Sequence, residues 1–248
     1  MKYAQLVMGL LVGTALGGSV VAATLEPSAS AATFDAEAIK KIVRETIDQE
    51  PQLILDSVQK YQDKKRADQT AGATEALKQP AIQEALLKDA AFIGPEDAKN
   101  VMIEFFDYNC PACKMQYKEL EKLLAAQKDV KVVFKEYPIF GPQSDTNAKI
   151  GLAVGRLYPE KYFAFHGKMM SHEGRSDEAQ ALKFAESLGM DSAKIKAEAA
   201  KPEISTILEA DKALGITLQL QGTPTVIVNG ELVPHAMGAA ELAEKLSK

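Results

Sequence analysis

Only two cysteines occur in the 248 residues, and both fall in Cys110-Pro111-Ala112-Cys113, four residues after the run Val101-Met102-Ile103-Glu104-Phe105-Phe106. A run so rich in Val, Ile and Phe reads as a buried strand, while Met115, Leu120, Leu123 and Leu124 recur at helical spacing. Cys110 therefore marks the point where a strand hands over to a helix. The first amides of a helix are unpaired and the dipole is positive there, so a thiolate at Cys110 is favoured over a thiol. Cysteines of C-x-x-C pairs at helix starts fall from roughly 8.5 to between about 3.5 and 7.5 in pKa. Pro111 suits the first turn, where its missing N–H costs little. Cys113 comes about one turn later, within reach of the Cys110 sulfur and less exposed. This geometry forms, opens and passes on a disulfide. A structural disulfide closing so short a loop is a poor staple. A zinc site lacks a second cysteine pair, and His166, His172 and His235 are distant in sequence.

Residues 1–23 read as a secretory signal peptide: Lys2, then an uncharged run from Leu6 to Val21, then small residues at Ala22 and Ala23. Cleavage after Ala22, after Ala23 or near Ala31 fits this pattern. The run is too short and glycine-rich for a membrane span. Export places the chain in the periplasm, with outer-membrane or surface association as a further option. In a compartment that permits disulfides, a lone cysteine pair is a tool rather than a scaffold. The formal charge of −5 becomes −6 without Lys2, and no basic stripe points to nucleic acid.

Residues 34–90 are rich in Ala, Gln, Lys, Asp and Glu. Ile39, Ile42, Val43 and Ile47 share one helical face; Pro51 breaks the helix; Ile54, Leu55, Val58 and Tyr61 continue a second stripe. Gln62 to Gly72 is polar, as a solvated helix or a connection, and Pro80 opens another short helix. So few apolar groups cannot close a core, so the segment packs on the rest of the chain or on another copy. The one-sided stripes favour self-association, as a homo-oligomer (dimer or trimer). A globular domain is expected over 91–248: an edge strand at Phe92–Pro95, strands at 101–106 and 131–137 joined as a parallel βαβ unit, and helices over 143–213. A strand then ends at Val228, Asn229-Gly230 turns a hairpin, and a helix closes the chain over 239–246. His166 lies in an aromatic and methionine cluster and reads as a packed core histidine.

Two motifs carry a family resemblance: Phe105-Phe106-Asp107-Tyr108-Asn109-Cys110-Pro111-Ala112-Cys113 and Gly222-Thr223-Pro224-Thr225. The chain resembles the DsbA-like thioredoxin-fold disulfide oxidoreductases, in the oligomeric branch with an N-terminal helical segment that includes ScsC-like proteins and related surface antigens. The resemblance covers residues 91–248 well and 34–90 loosely. It implies an α/β thioredoxin-like fold with a helical insertion, an N-terminal helical oligomerisation segment and no cofactor. It also implies that Pro224 is cis and faces the cysteines, with the Thr223 backbone offered to an extended substrate. Glu104 and Lys135 are implied as a buried charged pair near Cys113, and each does alternate in phase with apolar strand neighbours. Such a carboxylate would move the proton of Cys113.

Two departures tune the expectation. Ala112 stands where the strong oxidants of the family have a thiolate-stabilising histidine, and Thr223 is the choice of the isomerases. Together with the N-terminal helices they tilt the reading toward an oligomeric isomerase or a mixed oxidase and isomerase. Its partners would be protein substrates with cysteines and a membrane redox partner protein. The alternative is a copper(I)-handling thiol protein, since soft thiolates select that ion.

Overall fold

The structure, a computed structural model, describes residues 35–233 and 235–247, so the signal peptide expected over 1–23 lies outside the described residues. The chain divides after Ile54 into two units. The first contains helix α1 (Ala36–Gln49), whose N-cap Asp35 accepts a hydrogen bond from the Glu37 amide at 3.3 Å. No residue of α1 is buried, and Ile39, Ile42, Val43 and Ile47 all stand exposed. Pro51 ends that helix as its sequence predicts, and α2 (Gln52–Leu77) follows as one continuous helix through the polar stretch 62–72.

In the second unit α3 (Pro80–Leu87) leads to a five-stranded sheet of order β1-β3-β2-β4-β5. Its strands are β1 (Ala91–Ile93), β2 (Asn100–Phe106), β3 (Val130–Glu136), β4 (Thr225–Val228) and β5 (Glu231–Val233). β2 and β3 are parallel, joined through α4 (Pro111–Ala126) as the βαβ reading requires, and the other pairings are antiparallel. Asn229 and Gly230 take φ of 47° and 85°, the left-handed conformations a two-residue hairpin turn demands. Between β3 and β4 the chain inserts α5 (Pro142–Leu157), α6 (Pro159–Ser171), α7 (Glu178–Ser187), α8 (Ser192–Ala199) and α9 (Pro202–Thr217); α10 (Ala239–Leu246) closes it. This is a thioredoxin-like α/β fold with a helical insertion.

Strand alternation sends side chains to two faces. On one, Met102 and Phe106 of β2 join Val132 and Phe134 of β3 and pack with Tyr117, Leu120 and Leu123 of α4, with α5 and α6, and with Leu242 and Leu246 of α10. His166 lies in this layer, fully buried, with ring centres of Phe134 and Phe106 at 4.5 and 4.8 Å. Burial pushes its pKa down to about 3, so the imidazole is neutral, consistent with a packed histidine. On the other face Ile103, Phe105, Val133, Ile227 and Leu232 pack with Leu214, Leu218 and Leu220, and with Ala73, Ala76, Leu77 and Leu86. The core therefore starts well before residue 91. The segment read as one self-associating unit is divided: residues 73–86 contribute to the second unit's core, and the exposed stripes lie upstream of them.

Candidate active site

The turn between β2 and α4 is built around Asp107, which is 1% exposed. One carboxylate oxygen accepts the Asn109 amide at 2.7 Å; the other accepts the amides of Ile139 and Phe140 at 2.7 and 3.0 Å. The Cys110 amide donates to the Asp107 carbonyl at 3.0 Å, and the Lys114 amide returns to the Cys110 carbonyl at 3.2 Å. Cys110 is thereby the N-cap of α4, with extended backbone angles and Pro111 next in the first turn. The helix start predicted from the sequence is where the structure places it. Both cysteines are free thiols, Cys110 at 3% and Cys113 at 0% exposure.

Across from them the Thr223–Pro224 peptide is cis, and Cys110 Sγ lies 3.2 Å from the Thr223 carbonyl oxygen. Ala112, Gly222, Thr223, Pro224 and His235 line a cleft of about 310 Å³ beside the sulfur. Hydrogen bonding from the Cys113 thiol is the largest influence on Cys110; with Thr223 and the amides of Cys113 and Ala112 it outweighs burial and lowers the pKa to about 6. Burial, then the bond to Cys110 and the charges of Glu104 and Cys110, hold Cys113 well above the usual thiol value. One sulfur is thus poised to attack and its partner is held protonated.

Glu104 is 1% exposed, with one carboxyl oxygen lacking a hydrogen bond, and burial followed by the charge on Cys110 raises its pKa to about 8. Lys135 is not its partner. In the parallel register Glu104 stands beside Phe134 and Phe105 beside Lys135, so the two charged side chains leave opposite faces of the sheet. Lys135 Nζ instead donates to Asp211 Oδ1 of α9 at 2.9 Å and to the Lys88 carbonyl at 2.8 Å, on the face away from the cysteines. Of the expected site residues the structure brings together Cys110, Cys113, Pro111, Ala112, Thr223 and Pro224, puts Glu104 within electrostatic range, and sets Lys135 apart.

Asp107 and Asn109 escaped the sequence reading, although an Asp-x-Asn step before a helix start is a signal for a side-chain-bonded turn. Asn109 ties the turn to the helical insertion. Its amide donates to Ser144 Oγ and to the Ser176 carbonyl, each at 3.2 Å, and its oxygen accepts the Ser176 amide at 2.7 Å. Replacing Asn109 with Ala leaves the buried Ser176 amide without that acceptor, so a loss of about 2–3 kcal/mol is expected in urea unfolding. An unchanged midpoint would mean that this strap carries no load.

The thioredoxin family pattern matches residues 86–248. Disulfide bond formation protein D of Bacillus subtilis is 25% identical over 172 residues, covering 65% of this chain and 78% of that protein. A thioredoxin-like oxidoreductase from Silicibacter pomeroyi superposes with a TM-score of 0.62 at 30% identity, over 66% of this chain and 95% of the other. A linker-deletion mutant of Proteus mirabilis ScsC gives a TM-score of 0.65 at 26% identity, over 88% of this chain and 97% of that one.

Proposed function

The chain belongs to the thioredoxin family, among its DsbA-like members, and is a thiol–disulfide oxidoreductase; within that class we propose that it acts outside the cytoplasm as an oligomeric disulfide isomerase with a second activity as a dithiol oxidase. The observation that carries the redox half is Cys110 at the start of α4, 3.2 Å from the carbonyl that precedes the cis proline. In isomerisation the Cys110 thiolate attacks a substrate disulfide, forming a mixed disulfide and releasing one substrate thiolate. A second substrate thiolate then displaces Cys110, and no net electrons are exchanged. In oxidation a substrate thiolate attacks the Cys110–Cys113 disulfide, releasing Cys113, and a second substrate thiol displaces Cys110. The enzyme is left as a dithiol, to be reoxidised by a membrane partner. An extended substrate strand would lie along Thr223 and Pro224 in the cleft.

Support for the isomerase half comes from Thr223 before the proline, from Ala112 where an imidazolium would favour a stronger oxidant, and from the exposed apolar stripes of α1 and α2.

Limiting iodoacetamide at pH 6 is expected to alkylate Cys110 and spare Cys113. At a pKa of about 6 rather than 9.0, Cys110 carries roughly 500-fold more thiolate at that pH, while its lower basicity reduces each thiolate's reactivity about 20-fold. The net advantage over an ordinary thiol is about 25-fold. Mass spectrometry of the labelled peptides reads the outcome, and label falling mainly on Cys113 would reverse the roles. Refolding of scrambled ribonuclease tests the isomerase assignment: recovery by the parent and none by Cys110→Ser is expected. A parent that oxidises reduced ribonuclease but never unscrambles it would leave an oxidase only.

A further inference from the structure

A second cleft, of about 580 Å³, shares no lining residue with the cysteine cleft. It exists because β1 stops early. Pairing with β3 ends at Ala91 opposite Phe134, and Asp89, at φ 52°, turns the preceding chain away. Nothing in β1 therefore covers the end of β3 at Glu136. Gly155 of α5 packs closely against Ala91 and the Tyr162 ring, and Phe134, Leu152, Tyr162 and Ile207 supply apolar and aromatic walls.

Glu136 belongs to this lining. It is 2% exposed; the Tyr108 hydroxyl is the donor beside it, and Oε2 has no hydrogen-bond partner. Its Oε1 and the Tyr108 hydroxyl occupy the space that a side chain at Gly151 would need, so α5 keeps a glycine there. A buried acceptor oxygen without a donor is a costly feature of an interior. The nearby cations are already engaged: Arg156 with Glu198 at 3.3 Å, and Lys135 with Asp211 on the far face of the sheet. The nearby acids, Asp89 in the lining and Asp211 and Asp107 behind it, leave the surroundings short of positive charge. Burial, then the Asp211 and Asp107 charges, push the Glu136 pKa well above the carboxylate range, so the empty cleft holds a proton where a cation would fit.

We propose that this cleft is a second binding site, for a small primary amine whose apolar body lies against Phe134, Tyr162 and Ile207 and whose ammonium group is received by Glu136. The cleft volume lies within the range of small-molecule sites, roughly 300–1,000 Å³. Aromatic walls favour a cation over a neutral head group. In the empty cleft the carboxyl oxygens are covered, so binding turns the Glu136 carboxyl toward the ligand. The ammonium takes the place of the carboxyl proton, which leaves to solvent.

The test uses the full chain and benzylamine, with benzyl alcohol as the neutral control, followed by amide chemical shifts in NMR. Saturable benzylamine binding is expected, with shifts centred on Phe92 and Ile207. Affinity should fall at least tenfold for benzyl alcohol and for Glu136→Gln. Ile207→Trp, which fills the cleft and leaves Glu136 in place, should abolish binding, and decides the matter if Glu136→Gln does not fold. Absence of saturation, equal affinity for the alcohol, shifts centred on Thr223, or binding unchanged in a folded variant would each overturn the assignment.

Discussion

Replacing Glu104 with glutamine is expected to stabilise the reduced protein by about 3 kcal/mol at pH 7 while slowing release of mixed disulfides about 100-fold. The folded-state pKa of Glu104, about 8, lies above its ordinary value of 4.5. A group raised in this way contributes its stability fully below its unfolded pKa and loses it as pH rises through the folded value. The reduced parent should therefore weaken by about 1.4 kcal/mol per pH unit from about 4.5 to about 8, then level off. Glutamine mimics the protonated acid and should flatten this window. The kinetic loss has a separate origin. Cys113 is held protonated, and its attack on a mixed disulfide needs a base. Once Cys110 is bonded to substrate its negative charge is gone, so the lesser cause of the raised Glu104 pKa disappears while burial remains, and the ionised fraction of Glu104 grows and can take the Cys113 proton. Urea melts of the reduced variant between pH 4 and 9, with stopped-flow decay of a peptide mixed disulfide, separate the two effects. A parent-like decay rate across that range would remove Glu104 from proton transfer, whatever happens to stability.

Local chemistry made much of this site readable. Pro111 after Cys110 announced a helix start, Asn229-Gly230 a hairpin, and Pro51 a break, because each acts through its own backbone angles. The Glu104–Lys135 pair failed for a reason that alternation cannot reveal. Phase within a strand fixes which neighbours share a face, but only the register between β2 and β3 decides that Glu104 sides with Phe134 and Lys135 with Phe105. Asp211, the true partner of Lys135, lies 76 residues away in α9 and has no local signature. The domain boundary failed for a related reason. Ala73 and Ala76 are weak hydrophobic signals, yet small side chains let α2 approach closely, and both are buried beside Leu77.

Removing residues 35–69 is expected to leave a folded, redox-active monomer that oxidises dithiols and no longer unscrambles ribonuclease. Ile39, Ile42, Val43, Ile47, Ile54, Leu55, Val58 and Tyr61 are each between 41% and 62% exposed, an apolar surface that a monomer would hold in water. Fully burying one such side chain is worth about 1.5–3 kcal/mol, so half-covering all eight against other copies would supply about 6–12 kcal/mol, of the same order as the cost of association. An assembly would hold several Cys110 clefts around one misfolded substrate and shield reduced Cys110 from a partner that reoxidises monomers. The cut must stop before residue 70. Extending it to residue 90 also strips Leu77 and Leu86 from the face formed by Ile103 and Phe105, and removes the Lys88 carbonyl that receives Lys135. At about 2–5 kcal/mol for each buried leucine, the longer deletion should lose at least about 4 kcal/mol and aggregate. Light scattering on the parent and on both deletions, with ribonuclease refolding by each soluble form, gives the comparison. A parent that scatters as a monomer would end the assembly argument, and a 35–69 deletion that still unscrambles ribonuclease as well as the parent would detach isomerisation from the N-terminal helices.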